Sequence, residues 1–421
     1  MKSSIGRLSA FIGISLLSAP AFAGESTAPF LRNGHEVLEV QAEQNGPVIA
    51  TAWVEVVKGG FKKLVPLPGT QTECGVSVSS DGGKNWTTPE YYHHPGFPGA
   101  FNPHVVVTPE NVVYAVCLSD ADDYENGFLN VTKSTDLGKT WSPWREVAAV
   151  THGIPDKPTM TYAAGRLTLT YSHIANTPYG MKCRMKILES DDEGRTWARV
   201  ATPRFPRTPK TIDPSKFNIL GDNTIYALGS RLTKRTHFLW GEYKGDVYGG
   251  VWFATKKEDG RFTRPIKLSE EVMDPPLVSL YASPDERNLL AVWYNAHARS
   301  PQEIAASVSR DGGRTWSKRI LIAKQAFNSA ALIGNSGSFV VSYTRYATNA
   351  KRGQNVISEF TSRGRDTRVV SEFDFDIENF SYIGNTHALL PQADRRSYLW
   401  LGMEWFRDTS YFYIGRVRRY L

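Results

Sequence analysis

Cysteine is scarce. Cys74, Cys117 and Cys183 are the only three in 421 residues. That excludes a disulfide-built scaffold and leaves room for one bridge plus one free thiol. No Cys-x-x-Cys pair and no Cys/His spacing of a zinc site is present. Beyond the N-terminus, no apolar run reaches the roughly 20 residues that a helical bilayer crossing needs. No motif of a nucleic-acid-binding module occurs, so the net charge of +7 does not by itself argue for nucleic acid. The 41% hydrophobic and 12% aromatic content excludes intrinsic disorder.

What is abundant is turn formers and rings. Thirty-five Gly and 24 Pro stand beside 20 Phe, 11 Trp and 19 Tyr. This mixture favours many short strands joined by tight turns over long helices. The first residues read as a secretory signal. Lys2 and Arg7 form a basic start, Leu8 to Leu17 is mainly apolar, and Ala21-Phe22-Ala23 is a small-x-small cleavage site. The expected organisation is therefore a signal peptide over 1–23 and a single domain over 24–421. The expected location is exported, periplasmic or secreted, in an oxidising compartment.

Four segments share the pattern Ser-x-Asp-x-Gly-x-x-Trp: Ser79 to Trp86, Ser134 to Trp141, Ser190 to Trp197 and Ser309 to Trp316. Their tryptophans are 55, 56 and 119 residues apart, and the last interval is about two periods. A worn copy, Asp259-Gly260-Arg261-Phe262, falls in the gap, and another falls at Ser362 to Asp366. In a tight hairpin the Asp carboxylate and Ser hydroxyl accept turn N–H groups, Gly supplies positive φ, and Trp folds back onto the sheet. A residue repeated in every unit builds the unit, so these aspartates read as structural.

These segments are Asp boxes, and the mature chain resembles the Asp-box (BNR-repeat) β-propellers of the sialidase superfamily. The resemblance implies an all-β propeller of four-stranded units. Second strands are expected at Val48–Val54, Val112–Leu118, Leu167–Tyr171, Thr224–Leu228, Leu289–Tyr294, Phe339–Tyr343 and Tyr398–Trp405. That pattern favours seven blades, with six as the alternative, since sialidases have six. The last unit has room for three strands only, so Ser26 to Arg32 is expected to supply its fourth.

Asp boxes lie at turns between third and fourth strands, and in this family the working face is the opposite one. Arg231, Arg345 and Arg407 follow apparent second strands, with Arg299 and His297 nearby. The resemblance implies that such arginines hold a substrate carboxylate, because a guanidinium fork matches it bidentately. It also implies a tyrosine nucleophile activated by a glutamate, for which Tyr382 and Glu378 are the candidates, with Glu270 or Glu271 as other glutamates. The Arg-Ile-Pro motif that opens catalytic sialidases is absent, and the first-unit loop Val57 to Glu73 has no aspartate.

Units also begin with Asn102-Pro103, Asp156-Lys157-Pro158, Asp213-Pro214, Asp274-Pro275 and Asn328-Ser329. Around a central channel these polar side chains form a ring. It reads as plain turn chemistry or as a calcium or hydrated ligand site; no other cofactor is expected. His93, His94, His152, His173 and His237 join His297 in loops assigned to the same face. The expected function is a sialidase-like glycoside hydrolase on an anionic glycan, sialic or uronic acid-containing. The alternatives are a non-catalytic glycan- or protein-binding propeller and a polysaccharide lyase. No nucleic acid and no membrane span are expected.

Overall fold

A computed structural model describes residues 26–27, 31–32, 35–62, 65–120, 126–177, 180–203, 225–244, 248–269, 276–295, 303–347, 350–374, 387–392, 397–406 and 409–418. Among them there is no α-helix, and the strands fall into four-stranded antiparallel units, of which the second and third are joined by a parallel bridge at Asn126 and Gly153, beside a small hairpin of Phe61–Lys62 and Val65–Pro66. Unit one is Glu36–Asn45, Val48–Lys58, Gln71–Ser79 and Glu90–Tyr92; unit two is Gly99–Val107, Val113–Asp120, Asn126–Ser134 and Arg145–Thr151. Unit three is Gly153–Ala163, Arg166–Thr177, Gly180–Ser190 and Ala198–Arg199; unit four is Ile225–Gly229, Thr236–Lys244, Tyr248–Lys256 and Ile266–Ser269. Unit five is Pro276–Ala282, Leu289–Asn295, Glu303–Ser309 and Ile320–Lys324; unit six is Ala326–Ile333, Phe339–Ala347, Ala350–Thr361 and Gly364–Asp374. Unit seven is His387–Pro391, Ser397–Phe406, Thr409–Arg418 and, from the other end of the chain, Ser26–Thr27. Ser26 pairs with Ile414 and Thr27 with Tyr413.

The first strands of successive units touch one another in cyclic order, and the first strand of unit seven touches that of unit one. This closed ring around a channel is a β-propeller. Its core is divided. One cluster joins Val37, Val40 and Trp53 of unit one to Leu390 and Leu401 of unit seven, and another joins Val76 and Val78 to Val105 and Val113 of unit two. Each further pair of neighbours shares its own cluster. The cause is the period-two alternation of a strand. In the second strand of unit five, Leu290, Val292 and Tyr294 face unit six, whereas Leu289, Ala291 and Trp293 face unit four. Trp53 is fully buried and its cross-strand partner is Gly75, where an added Cβ would lie 2.4 Å from the indole. Only glycine fits there.

The Ser-x-Asp-x-Gly-x-x-Trp segments close third-to-fourth-strand hairpins. Ser134 Oγ donates to Asp136 Oδ1 at 2.8 Å and accepts from Gly138 N at 2.8 Å, and Thr140 N donates to Asp136 at 2.9 Å. The same contacts recur at Ser79, Ser190 and Ser309. Hydrogen bonds from the Thr140 side chain and backbone hold the Asp136 carboxyl down to about 2. These aspartates are turn acceptors, and the repeat carries architecture rather than chemistry. The worn copy also closes such a turn, with Gly260 N donating to Lys257 O at 2.9 Å and Phe262 packed on Phe238.

One strand assignment needs correction. Ile225–Gly229 is the first strand of unit four, not its second; the second is Thr236–Lys244. Arg231 therefore lies in a first-to-second-strand turn, at the end of the propeller that carries the repeated motif. That end is called the motif end below, and the opposite one the mouth end.

Candidate functional site

The first strands start at the mouth end, and several carry a bulge there. Pairing shifts between Phe101 and His104, between Asp156 and Thr159, and between Phe327 and Ser329. Asn102, Lys157 and Asn328 occupy these bulges with φ of 49°, 48° and 51°. Asn tolerates the left-handed region, but for Lys157 it costs roughly 1–2 kcal/mol. Pro103 and Pro158 follow in positions where no ladder N–H is needed. A strained lysine beside a channel is a pointer to function.

The bulges bring polar groups from three consecutive units into one chain of contacts. Asn102 N donates to Glu39 Oε2 at 2.5 Å, and Asn102 Nδ2 donates to Asp156 Oδ1 at 2.9 Å. Lys157 Nζ donates to Asp156 Oδ2 at 2.5 Å. Burial pushes the Glu39 carboxyl up to about 7, and Asp156 adds to the rise while the Asn102 N–H and Lys157 oppose it. Asn328, only 2% exposed, keeps its Oδ1 without a hydrogen-bond partner. Such an arrangement can donate a proton from Glu39 and hold a second carboxylate nearby.

Of the polar ring expected from the unit starts, Asn102, Asp156 and Lys157 are brought into contact, while Asn328 occupies the matching bulge of unit six, outside that chain of contacts. Asp213 and Asp274 lie outside the described residues. At Asp156 the positive charge comes from the Lys157 ammonium. Among the described residues no group of three or more His, Cys, Asp or Glu is arranged to hold a metal ion.

Arg345 lies near the mouth end of Phe339–Ala347, where its Nη2 donates to Gln354 Oε1 at 2.6 Å and Gln354 Nε2 donates to Glu372 at 2.5 Å. Arg231 is at the other end of the channel. Its Nη2 reaches from unit four across to the carbonyl of Gln44 in unit one, at 3.0 Å, and its backbone N–H donates to Glu286 at 2.5 Å. Arg231 and Arg345 therefore do not converge. Tyr382, Glu378, Arg407, Arg299, His297, Glu270 and Glu271 lie outside the described residues.

A neighbouring tyrosine–glutamate pair does occur, as Tyr91 and Glu55, although the buried Tyr91 hydroxyl has no hydrogen-bond partner among the described residues. Burial comes first among the causes that raise the Tyr91 phenol above its ordinary value. Arg32 stacks 3.7 Å over the Tyr91 ring and donates to Glu73 at 2.6 Å, and His35 lies 2.7 Å from Glu55. This cluster fastens the segment after Ser26–Thr27 to unit one, away from the channel wall. Among the histidines, His237 sits at the motif end, buried against Thr255 at 2.9 Å and pushed down to about 4 by burial. His94 Nδ1 contacts the Pro95 carbonyl at 2.8 Å, with the ring stacked on Phe128. His173 lies on Arg166–Thr177 and is lowered by burial and neighbouring cations.

Glu39 was missed by the sequence reading, which noted only that its strand lacks Arg-Ile-Pro. The available signal was positional, since Glu39 precedes the channel-lining stretch of unit one as Asn102 and Asp156 do in units two and three.

No protein-family model matches the sequence, and no curated protein matches it. Among solved structures, the fold resembles a protein of unknown function from Dyadobacter fermentans, with a TM-score of 0.52, 15% identity and coverage of 77% of this chain and 94% of that one. It also resembles a GH93 α-L-arabinofuranosidase of Fusarium graminearum, with a TM-score of 0.51, 12% identity and coverage of 94% and 98%. An α-L-arabinanase of Penicillium chrysogenum gives a TM-score of 0.51, 12% identity and coverage of 95% and 99%. At such identities the likeness is one of fold.

Proposed function

We propose that the chain is an exported, sialidase-like glycoside hydrolase that works at the mouth end of its channel on an anionic glycan. The observation that carries this reading is the Glu39–Asn102–Asp156 chain of contacts, in which one carboxyl is protonated near neutrality and a second is ion-paired with Lys157. Glu39 protonates the leaving glycosidic oxygen. The group on the other side of the sugar is Asp156 or the Tyr382–Glu378 pair, which by chain order falls in the link between units six and seven. Lys157 and Arg345 supply positive charge for a substrate carboxylate, together with Arg299, Arg407 and His297 from second-to-third-strand connections. Two of the fold neighbours are glycosidases by name, which supports a carbohydrate substrate. Export is supported by the Cys74–Cys117 disulfide, which suits an oxidising compartment.

The test is turnover of sialosides, polyuronates and α-L-arabinofuranosides by the purified protein. Glu39→Gln is expected to lower kcat about a hundredfold with KM little changed, as loss of a proton donor does. Asp156→Asn and Tyr382→Phe separate the two candidates for the opposite group. Because Glu39 acts as an acid, activity should be present below pH about 7 and fall as pH rises through that value. Glycan binding without turnover of any substrate class would make the protein a binding propeller and sink the hydrolase reading.

A further inference from the structure

At the motif end the channel opens into a cavity of about 1180 Å³, whose wall runs inward from the Gly46–Pro47 turn as far as Gln41 and His104. Its charged groups are already engaged. Arg231 is bonded to the Gln44 carbonyl, and Glu286 accepts from Ser230 Oγ at 2.5 Å and from Arg231 N at 2.5 Å. Two neutral amide atoms on adjacent units have no partner. Gln392, 8% exposed, lines the cavity with its Nε2 unsatisfied, and Gln44 lines it with a buried, unsatisfied Oε1. A buried donor and a buried acceptor left open in this way cost about 1–3 kcal/mol each unless something bonds them. The Tyr226 and Tyr281 rings lie along the same wall.

We propose that this cavity is a second ligand site, for an uncharged, hydroxyl-rich molecule of mono- or disaccharide size. An amide donor beside an amide acceptor matches the paired donor and acceptor roles of sugar hydroxyls. Flat tyrosine rings match the apolar C–H faces of a pyranose. Among the remaining titratable groups of the wall, Glu359 is ion-paired with Arg368 at 3.3 Å. Burial pushes His104 down to about 4, and burial raises Glu43 to about 7 against the opposing charge of Arg231. Burial also holds the Tyr281 phenol up at about 12. The volume is above the roughly 300–1,000 Å³ usual for small-ligand pockets, so a disaccharide fills only part of the cavity.

This site does not depend on the hydrolase reading, and its test is direct binding. Lactose and cellobiose are titrated into the whole protein by calorimetry and by ligand-observed NMR, with N-acetylneuraminic acid as the anionic control. Both neutral disaccharides are expected to bind wild-type protein and the Glu39→Gln protein alike. Gln392→Leu should weaken them about tenfold, the worth of one buried hydrogen bond. Gln44→Leu reports on the same cavity if Gln392→Leu fails to fold, and it leaves the Gln44 carbonyl and hence Arg231 in place. Overturning results are no binding of either disaccharide to the wild type, or binding that Glu39→Gln abolishes and the glutamine variants leave intact. Tighter binding of the anionic control, sensitive to Gln392→Leu, would also overturn it.

Discussion

Replacing Cys74 and Cys117 by serine is expected to lower the free energy of unfolding by about 4 kcal/mol. The two cysteines are bonded across the boundary between units one and two, from Gln71–Ser79 to Val113–Asp120. The bridge closes a 43-residue interval, which sets the size of the denatured-state entropy it removes. Both residues are fully buried and pack with Tyr92 and Ala100, so serine hydroxyls would also be placed in an apolar cluster. Chemical denaturation of oxidised, reduced and double-serine protein measures the effect. A midpoint unmoved by reduction would show that the interface holds without the bridge.

Glu189→Leu is expected to cost about 3–5 kcal/mol, because it strands a buried ammonium. Lys256 is 6% exposed, and its Nζ bonds Glu189 across the boundary between units three and four. The other nearby cation, Arg166, keeps Asp191 as a partner at 2.8 Å. Lys256 has no comparable replacement, since Asp191 is largely exposed to water. Adding Lys256→Met to Glu189→Leu should recover most of the loss, because an apolar pair of similar volume needs no desolvated charge. A double variant as unstable as the single one would assign the loss to packing instead.

The propeller architecture was legible because its signal repeats. Ser-x-Asp-x-Gly-x-x-Trp encodes a local turn through contacts that span at most four residues. A pattern of that kind survives in sequence. The strand order of unit four was not legible, because Ile225–Gly229 and Thr236–Lys244 are both short apolar runs and neither announces its place in the sheet. That single shift moved Arg231 from one end of the channel to the other.

The candidate site was legible only in outline. Asn102, Asp156 and Lys157 were marked by their prolines, but Glu39 has none. Its distinction is a contact with Asn102, 63 residues on, and burial in a channel wall that exists only once the ring is closed. The tyrosine–glutamate pair shows the converse. Tyr91 and Glu55 lie in different strands, and their proximity follows from strand register rather than from spacing.

Ser26–Thr27 completes the sheet of the last unit, so the first residues of the described chain pair with nearly the last. The order of assembly follows from this. A chain emerging N-terminus first can build units one to six as each arrives, but the seventh sheet waits for residues 409–418. Until then units one and six leave uncovered the apolar faces that pack against it. A circular permutant that joins the native ends and opens the ring between two other units would make that final sheet early, and comparing its refolding rate with that of the parent measures how long the ring stays unsealed.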